Sequence, residues 1–187
     1  MVHKLAIIGS SAGGPRILKE LFSRLPRLNG AIVLVQHMPK FINESLCETI
    51  QDDTEMDVHL IGQDTAIRNH GIYVAPSEIH TAFNQNGRFH LFEGERHNYV
   101  KPSVDVVMQS VRRGQFEKIL GVILTGMGKD GAEGIRHLKS LGATTVAQNE
   151  ESCAIFGMPK EAIDTGCVDY VLDPSDIRRK MIATLGA

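Results

Sequence analysis

The sequence predicts an α/β fold, a doubly wound and mostly parallel sheet of about seven strands with helices on both faces and one inserted antiparallel β-hairpin. Three observations support this prediction. Short apolar runs alternate with stretches in which apolar residues recur at helical spacing. The runs are apolar almost throughout, which is typical of parallel strands that are covered on both faces. One segment breaks the alternation and has the pattern of a hairpin.

The strands are expected at the apolar runs. The first run, residues 5–8, reads LAII and ends in a glycine-rich turn, so it has the length and the boundary of a buried strand. The other runs are similarly rich in aliphatic residues and end in comparable turns. The predicted strands are residues 5–8, 31–35, 58–61, 72–75, 119–124, 144–147 and 168–172.

The helices are expected between these runs. In the first of them, Pro15 suits the first helical position, apolar residues follow at three- and four-residue intervals, and Pro26 stops the pattern. The same spacing recurs in the other stretches. The predicted helices are residues 15–25, 42–50, 104–113, 132–141, 159–164 and 175–185.

The hairpin is expected at residues 79–83 and 88–92. These segments flank the sequence NQNG at residues 84–87. An Asn-Gly pair favours a tight turn between antiparallel strands, so this segment is predicted to be an insertion in the parallel fold.

The length and the charge of the chain limit the classes of protein to which it can belong. A chain of 187 residues fits one domain, which we expect to span residues 1–187. Its formal net charge of −2, with acidic and basic residues mixed, lacks the electrostatic signature of nucleic-acid binding. No apolar run reaches the ~20 residues that cross a bilayer, and the N-terminus has no signal-peptide pattern. We therefore expect a cytoplasmic protein with a protein or small-molecule partner.

The cysteines and histidines do not predict a metal site. The three cysteines, Cys47, Cys153 and Cys167, are widely spaced, so they form neither a C-x-x-C motif nor a disulfide framework. The eight histidines show no H-x-x-x-H spacing. We expect ordinary thiols and no bound metal.

The most informative local feature is the sequence IGSSAGG at residues 8–14, which joins the first strand to the first helix. A hydroxyl in such a turn projects at a helix N-terminus, where backbone amides can hold an oxyanion. The turn fits the G-x-S-x-G pattern around Ser11, but Gly14 and Pro15 extend it. It suits phosphate binding or a plain tight turn as well, and it leaves open whether Ser10 or Ser11 is functional.

Two further strand ends carry side chains with catalytic chemistry. The second strand runs into QHMP at residues 36–39, which makes His37 a candidate base, although many histidines are ordinary surface or core residues. The fifth run ends in TGMGKDG at residues 125–131, which contains Asp130. The pattern from Asp130 to Glu133 also reads as a capping box, and local sequence alone favours that interpretation.

Together, these three turns predict a catalytic triad, because the carboxyl ends of parallel strands meet at one edge of a sheet. His37 would take the proton of Ser11, and Asp130 would hold the imidazole in the required tautomer. Amides of the glycine-rich loops would stabilise the tetrahedral oxyanion.

Beyond these features, several short blocks stand along nearly the whole chain. They are IGSSAGG at 8–14, QHMP at 36–39, YVAP at 73–76, PSVDV at 102–106, GVILTGMGKDG at 121–131, AQNE at 147–150 and FGMP at 156–159. In order and spacing, these blocks resemble the catalytic domain of CheB, the bacterial chemoreceptor protein-glutamate methylesterase.

Carried over by matching position, the resemblance assigns the nucleophile to Ser11, the base to His37 and the orienting acid to Asp130. It thereby favours Ser11 over Ser10. It also makes Asp130 a triad member, a role that can coexist with helix capping.

The resemblance also implies an oxyanion hole. Met127 matches a position whose backbone amide the family uses for this purpose, and Ala12, next to Ser11, is the expected second donor. The family often has Thr where this chain has Ala12, so any hydrogen bond from that hydroxyl is absent. A basic stretch that commonly precedes the PSVD block reads Val100-Lys101 here, which weakens any assignment of a substrate contact there.

The reaction implied by the resemblance is hydrolysis of glutamate γ-methyl esters on the cytoplasmic helical bundle of a chemoreceptor, with release of methanol. Some members of the family also deamidate receptor glutamines. The resemblance implies neither a metal nor an organic cofactor, and neither nucleic-acid binding nor direct membrane insertion is expected.

Regulation is where the chain departs most from the family. Its members normally carry an N-terminal phosphorylatable receiver domain, whereas this sequence begins close to its first predicted strand. We therefore expect either a receiver-free member, served by a separate regulatory protein, or a fragment. The alternatives are a receiver-free esterase of another chemosensory-like signalling system, and a non-catalytic regulator that binds an anion or a nucleotide through the glycine-rich turn.

Overall fold

The structure is a computed structural model that describes residues 2–186. Its strands confirm the predicted parallel sheet and the predicted hairpin, and the seven apolar runs all lie in strands of the sheet or directly beside them. In chain order, the strands are β1 (Lys4–Ser10), β2 (Ala31–Gln36), β3 (Asp57–Leu60), β4 (Gly71–Val74), β5 (His80–Phe83), β6 (Phe89–Phe92), β7 (Lys118–Ile123), β8 (Thr144–Gln148) and β9 (Tyr170–Leu172).

The helices follow the predicted stretches, and the largest differences lie at their C-terminal ends. They are α1 (Gly14–Phe22), α2 (Asn43–Asp53), α3 (Val104–Gln109), α4 (Ala132–Ser140), α5 (Met158–Asp164) and α6 (Pro174–Leu185).

Two helices end earlier than the apolar spacing predicts. The helix α1 stops at Phe22 because Arg24 adopts a left-handed conformation and Leu25 then pairs with Thr54 in a β-bridge. The helix α3 ends at Gln109, and the next residue, Ser110, accepts from the backbone N–H of Phe83 on β5 (2.9 Å) through its hydroxyl. In both cases, contacts beyond the periodic pattern end the helix.

The sheet is parallel throughout, in the order β3-β4-β2-β1-β7-β8-β9, and it separates two apolar cores. Successive residues of β1 point to opposite faces, as they must in a strand. Ala6 and Ile8 pack against α1, α2 and α6, whereas Leu5 and Ile7 pack in the cluster that contains α3, α4, α5 and the hairpin. This two-sided burial explains why the strands read as unbroken apolar runs.

The hairpin is a separate two-stranded sheet, β5 with β6, in which Phe83 pairs with Phe89. Its turn is held by the side chain of Asn84, which accepts from the backbone N–H groups of Asn86 (2.9 Å) and Arg88 (3.1 Å). Gly87 has a φ of 70°, which accounts for the glycine at that place in the turn.

The strand order directs attention to one edge of the sheet. The central strand β1 has β2 on one side and β7 on the other, so the chain changes direction across the sheet at this strand. Ligands of open α/β sheets bind at the carboxyl ends of the strands at such a switch point. Within the described residues, no helix combines the length and the apolar character needed to cross a membrane.

Candidate active site

Ser11 lies between the turns that follow β2 and β7. The backbone N–H of His37 donates to the carbonyl of Ser10 (3.0 Å), which extends the pairing of β1 with β2 by one residue. On the other side, the N–H of Ser11 donates to the carbonyl of Thr125 (3.0 Å). Hydrogen bonds on both sides therefore fix the backbone of Ser11.

The two adjacent serines have different environments. Ser10 is fully buried, and its hydroxyl donates to Oε1 of Gln36. Ser11 is partly exposed, and its hydroxyl makes no hydrogen bond within residues 2–186. Ser11 is thus the serine of this turn whose hydroxyl is left free.

His37 and Asp130 are in direct contact. The side chains are 11% and 3% exposed, and Nε2 of His37 lies 2.9 Å from Oδ2 of Asp130. Three protein donors complete the surroundings of the carboxylate. They are Val104 N to Oδ2 (2.7 Å), Ser103 Oγ to Oδ1 (2.7 Å) and Asp105 N to Oδ1 (3.1 Å).

These hydrogen bonds keep the Asp130 carboxylate charged. Burial on its own raises the pKa of Asp130, but the hydrogen bonds from His37, Ser103 and two backbone amides outweigh it, so the pKa lies below the ordinary value. The neighbouring Asp105 behaves differently, because burial raises its pKa and the charge of Asp130 adds to that effect. Asp130 is therefore the carboxylate suited to remain ionised beside an imidazole.

The contact with Asp130 fixes the tautomer of His37. An ionised carboxylate can only accept, so the proton of the neutral imidazole lies on Nε2. The other ring nitrogen, Nδ1, is buried and has no hydrogen-bond partner. Its lone pair is thus available to take a proton from a hydroxyl at the end of the adjacent strand.

The predicted capping box at Asp130 is wrong. The N-cap of α4 is Gly131, which has a φ of 101° and no side chain to cap the helix. Glu133 does not reach back, but forms an ion pair with Arg136 at 3.4 Å. The local pattern fits a capping box, but the turn places the Asp130 carboxylate elsewhere.

Instead, two helices exchange caps. Oδ1 of Asp105, on α3, accepts from the N–H groups of Gly131 (3.0 Å) and Gly134 (2.6 Å) at the start of α4. In return, Asp130, which precedes α4, accepts from the N–H of Val104 at the start of α3. Each carboxylate satisfies free donors in the first turn of the other helix, which locks the position of Asp130.

The peptide that joins Gly126 to Met127 is held in one orientation. The carbonyl of Gly126 accepts from Gly157 N (3.2 Å) and Met158 N (2.8 Å) at the start of α5. This peptide is trans, so the N–H of Met127 points away from α5. Within residues 2–186, the N–H groups of Met127 and Ala12 donate to no protein acceptor, so both amides are available to a ligand.

Polar side chains that the sequence motifs did not identify support these turns. Gln36 and Gln148 each end a buried strand, and each uses its amide to bind two neighbouring segments. Thr125 joins the serine turn to the loop before α5 by donating to the carbonyl of Ala12 (3.0 Å). A polar residue that ends an otherwise apolar run is the signal that could have identified the two glutamines.

No candidate metal centre accompanies this site. Among the described residues, no group of three or more His, Cys, Asp or Glu side chains is arranged to hold a metal ion. The three cysteines are free thiols.

Comparison with known proteins relates this site to one family. A family model described as CheB methylesterase matches residues 6–181. A protein-glutamate methylesterase/protein-glutamine glutaminase of Thermotoga maritima is 38% identical over 183 residues, which are 96% of this chain and 53% of that protein. The protein of the same name from Salmonella typhimurium is 36% identical over 188 residues, 99% of this chain and 54% of that protein.

A solved structure agrees with the sequence comparison. The crystal structure of the Thermotoga maritima CheB methylesterase catalytic domain matches with a TM-score of 0.91 at 36% identity, covering 98% of this chain and 99% of that one. The chain spans about half the length of the curated relatives that it matches. The family model and the relatives both cover nearly the whole chain, and on these grounds the chain belongs to the CheB methylesterase family.

Proposed function

We propose that this protein hydrolyses glutamate γ-methyl esters on the cytoplasmic helical bundle of bacterial chemoreceptors, and that it deamidates receptor glutamines by the same route. Ser11 is the nucleophile, His37 the general base and Asp130 the residue that orients the imidazole. The observation that carries this proposal is the contact of Asp130 with Nε2 of His37, which leaves Nδ1 as the free base beside the Ser11 turn.

The reaction has two halves. As Oγ of Ser11 attacks the ester carbonyl, its proton moves to Nδ1 of His37, and collapse of the tetrahedral intermediate passes that proton to the departing methanol. Water then attacks the glutamyl ester on Ser11 as one of its protons moves to Nδ1, and collapse of the second intermediate returns that proton to Oγ of Ser11 and frees the glutamate side chain of the receptor. For a glutamine side chain, ammonia leaves in place of methanol. Asp130 stabilises the imidazolium in each half.

The oxyanion is held by the amides of Met127 and Ala12. Both amides lack a protein acceptor in the described chain, and they lie on the two turns that enclose Ser11. The Met127 amide is directed by the anchored carbonyl of Gly126, so it needs no reorganisation during the reaction.

Large apolar side chains near these turns support a protein as the substrate. Met127 is 69% exposed on the oxyanion turn, and Phe41, four residues after His37, is 82% exposed. Tyr99, which is 93% exposed, lines a cavity of about 410 Å³ together with Gly128. Such exposed anchors are typical of surfaces that dock a partner.

The anchoring of the oxyanion turn can be tested at Gly157. A Cβ at this position would lie 2.7 Å from the Gly126 carbonyl oxygen and 3.3 Å from Met127 Cα, although the backbone φ of −101° itself accommodates alanine. We expect Gly157→Ala to displace the Met127 amide and to lower kcat for ester hydrolysis about 10- to 100-fold, with a small change in KM. Steady-state kinetics measures both constants.

A matched control for this substitution is Gly62→Ala. There the nearest atom to an added Cβ is 3.4 Å away, which is ordinary contact. This variant should keep wild-type kinetics. Equal kinetics of Gly157→Ala and the wild type would contradict an oxyanion role for the turn.

The proposed function is tested by assaying purified protein on methylated receptor membranes. We expect release of methanol, release of ammonia from receptors that carry glutamine at the same sites, and labelling of Ser11 by a fluorophosphonate probe. Labelling and cleavage of short acyl esters without methanol release would point to an esterase of another signalling system. Neither labelling nor hydrolysis would favour a non-catalytic anion or nucleotide binder.

A further inference from the structure

Gln36 holds the backbones of two proposed triad residues with one side chain. It is the last residue of β2 and is 2% exposed. Its Nε2 donates to the carbonyl of Ser11 and to the carbonyl of His37, each at 2.9 Å. Both protons of the amide are therefore used, one on the segment that carries the nucleophile and one on the segment that carries the base.

The orientation of this amide is determined by its surroundings. The two carbonyls can only accept, so the amino group must face them, and the amide oxygen accepts from the buried hydroxyl of Ser10. The first residue of α1 packs against the same group, since a Cβ on Gly14 would lie 2.1 Å from Oε1 of Gln36 and 2.6 Å from Oγ of Ser10. The side chain has no room to turn over.

The Gln36 amide makes more specific contacts than it would need merely to have its own hydrogen bonds satisfied. Either carbonyl alone would occupy one proton of the amide, and a turn carbonyl at a sheet edge can also be satisfied by water. In this arrangement, the carbonyls of Ser11 and His37 both accept from the same nitrogen, which fixes the distance between them. The side chains of Ser11 and His37 project from the residues so tied together.

We propose that Gln36 is a positioning residue that sets the distance between Oγ of Ser11 and Nδ1 of His37. It acts through the two backbone segments and touches neither substrate nor the reacting atoms. Proton transfer to a base requires hydrogen-bond reach, and a displacement of about 1 Å at a reacting centre can cost about 100-fold in rate. The proposal rests on the proposed function, because it concerns the same nucleophile and base.

The test uses Gln36→Met, which keeps the length of the side chain but removes both donors. We expect the rate of Ser11 labelling by a fluorophosphonate, and kcat for methyl ester hydrolysis, to fall about 10- to 100-fold. KM should change less than about threefold, since the exposed docking surface is not altered.

A matched control separates positioning from general stability. Thr145→Val removes another fully buried side-chain donor, which binds the carbonyl of Cys167 (2.5 Å) near the opposite edge of the sheet. We expect both variants to lower Tm by roughly 2–6 °C, with the labelling rate reduced only in Gln36→Met. An equal effect of the two variants on labelling would overturn the proposal.

A double-mutant cycle gives the decisive result. In a His37→Ala background there is no imidazole to position, so adding Gln36→Met should change the residual labelling rate less than about twofold. Full additivity of the two substitutions would overturn the positioning role. Because the probe reacts without a receptor, this outcome is independent of the natural substrate, whereas absence of labelling in the wild type would contradict the proposed function itself.

Discussion

Ser11→Ala should abolish labelling by a fluorophosphonate and lower kcat for methanol release by about 10⁵- to 10⁶-fold, because no other group of the site can form the glutamyl ester. The substitution removes a partly exposed hydroxyl that makes no hydrogen bond in the described chain, so stability should hardly change. Methanol release from methylated receptor membranes measures the first effect, and thermal unfolding the second.

The adjacent Ser10 provides the matched control. Its buried hydroxyl donates to Gln36, so Ser10→Ala leaves an amide oxygen without a partner and should cost about 1–3 kcal/mol of unfolding free energy. We expect this variant to be labelled still, with kcat reduced about tenfold or less. Labelling of Ser11→Ala, or its loss only in Ser10→Ala, would assign the nucleophile to the other serine.

The contrast between these two serines also illustrates what sequence could not determine. Both stand in one glycine-rich turn, and only resemblance to a family favoured Ser11. In the structure, Ser10 is the last residue of β1 and its side chain points into the protein, whereas Ser11 lies beyond the strand. If β1 ended one residue later or earlier, the buried and the free hydroxyl would change places. The residues of the turn do not by themselves show at which residue the strand pairing stops.

The sheet was predictable because its physical cause is local. Strands buried on both faces are apolar at nearly every position, so runs such as residues 5–8 and 31–35 can be recognised as strands from the sequence alone. Because the carboxyl ends of parallel strands meet at one edge of the sheet, the predicted strands were sufficient to place His37 and Asp130 at the same edge.

Ser103 caps α3 locally by accepting from Val106 N (3.3 Å), but the carboxylates of Asp105 and Asp130 that bind the starts of α4 and α3 were not predictable, because each comes from a distant segment. The pattern from Asp130 to Glu133 is a sound local signal, yet Asp105, about 25 residues away, occupies the free amides of α4. Free N–H groups in a first helical turn donate to any suitable carboxylate that packing brings near, and a short sequence pattern does not determine that packing. The same limit applies to Gln36, whose partners lie on two different segments.

The exchanged caps give Asp130→Asn two separate effects. In the wild type, one carboxylate oxygen accepts from the N–H of Val104 and the other from the N–H of Asp105. In either orientation of an asparagine side chain, its amino group therefore faces one of these two donors. If it faces Val104, it also donates to Nε2 of His37 and forces the proton onto Nδ1, which removes the base. In either orientation, the imidazolium loses its counter-charge. We expect kcat to fall about 10³- to 10⁴-fold.

Asp105→Asn is the matched control for the catalytic effect. This residue is as buried as Asp130 and caps α4, but it has no contact with His37 in the described chain. The side-chain oxygen of an asparagine can still accept from the N–H groups of Gly131 and Gly134, so kcat should fall less than about tenfold. Comparable losses of kcat in both variants would mean that disturbed caps, and not the lost contact with His37, explain the effect of Asp130→Asn.

The second effect of Asp130→Asn is on stability, and it depends on pH. Because the pKa of Asp130 in the folded protein lies below the ordinary value of 3.8, the charged carboxylate stabilises the fold above that value, and this contribution is lost as the pH falls through the folded pKa. We expect the wild type to exceed Asp130→Asn by about 1–3 kcal/mol in unfolding free energy at pH 7, with the difference shrinking below pH 3.8. Urea unfolding of both proteins across this range measures it. A difference that stayed constant down to pH 2 would show that the charge of Asp130, held by four donors, adds nothing to the stability of the fold.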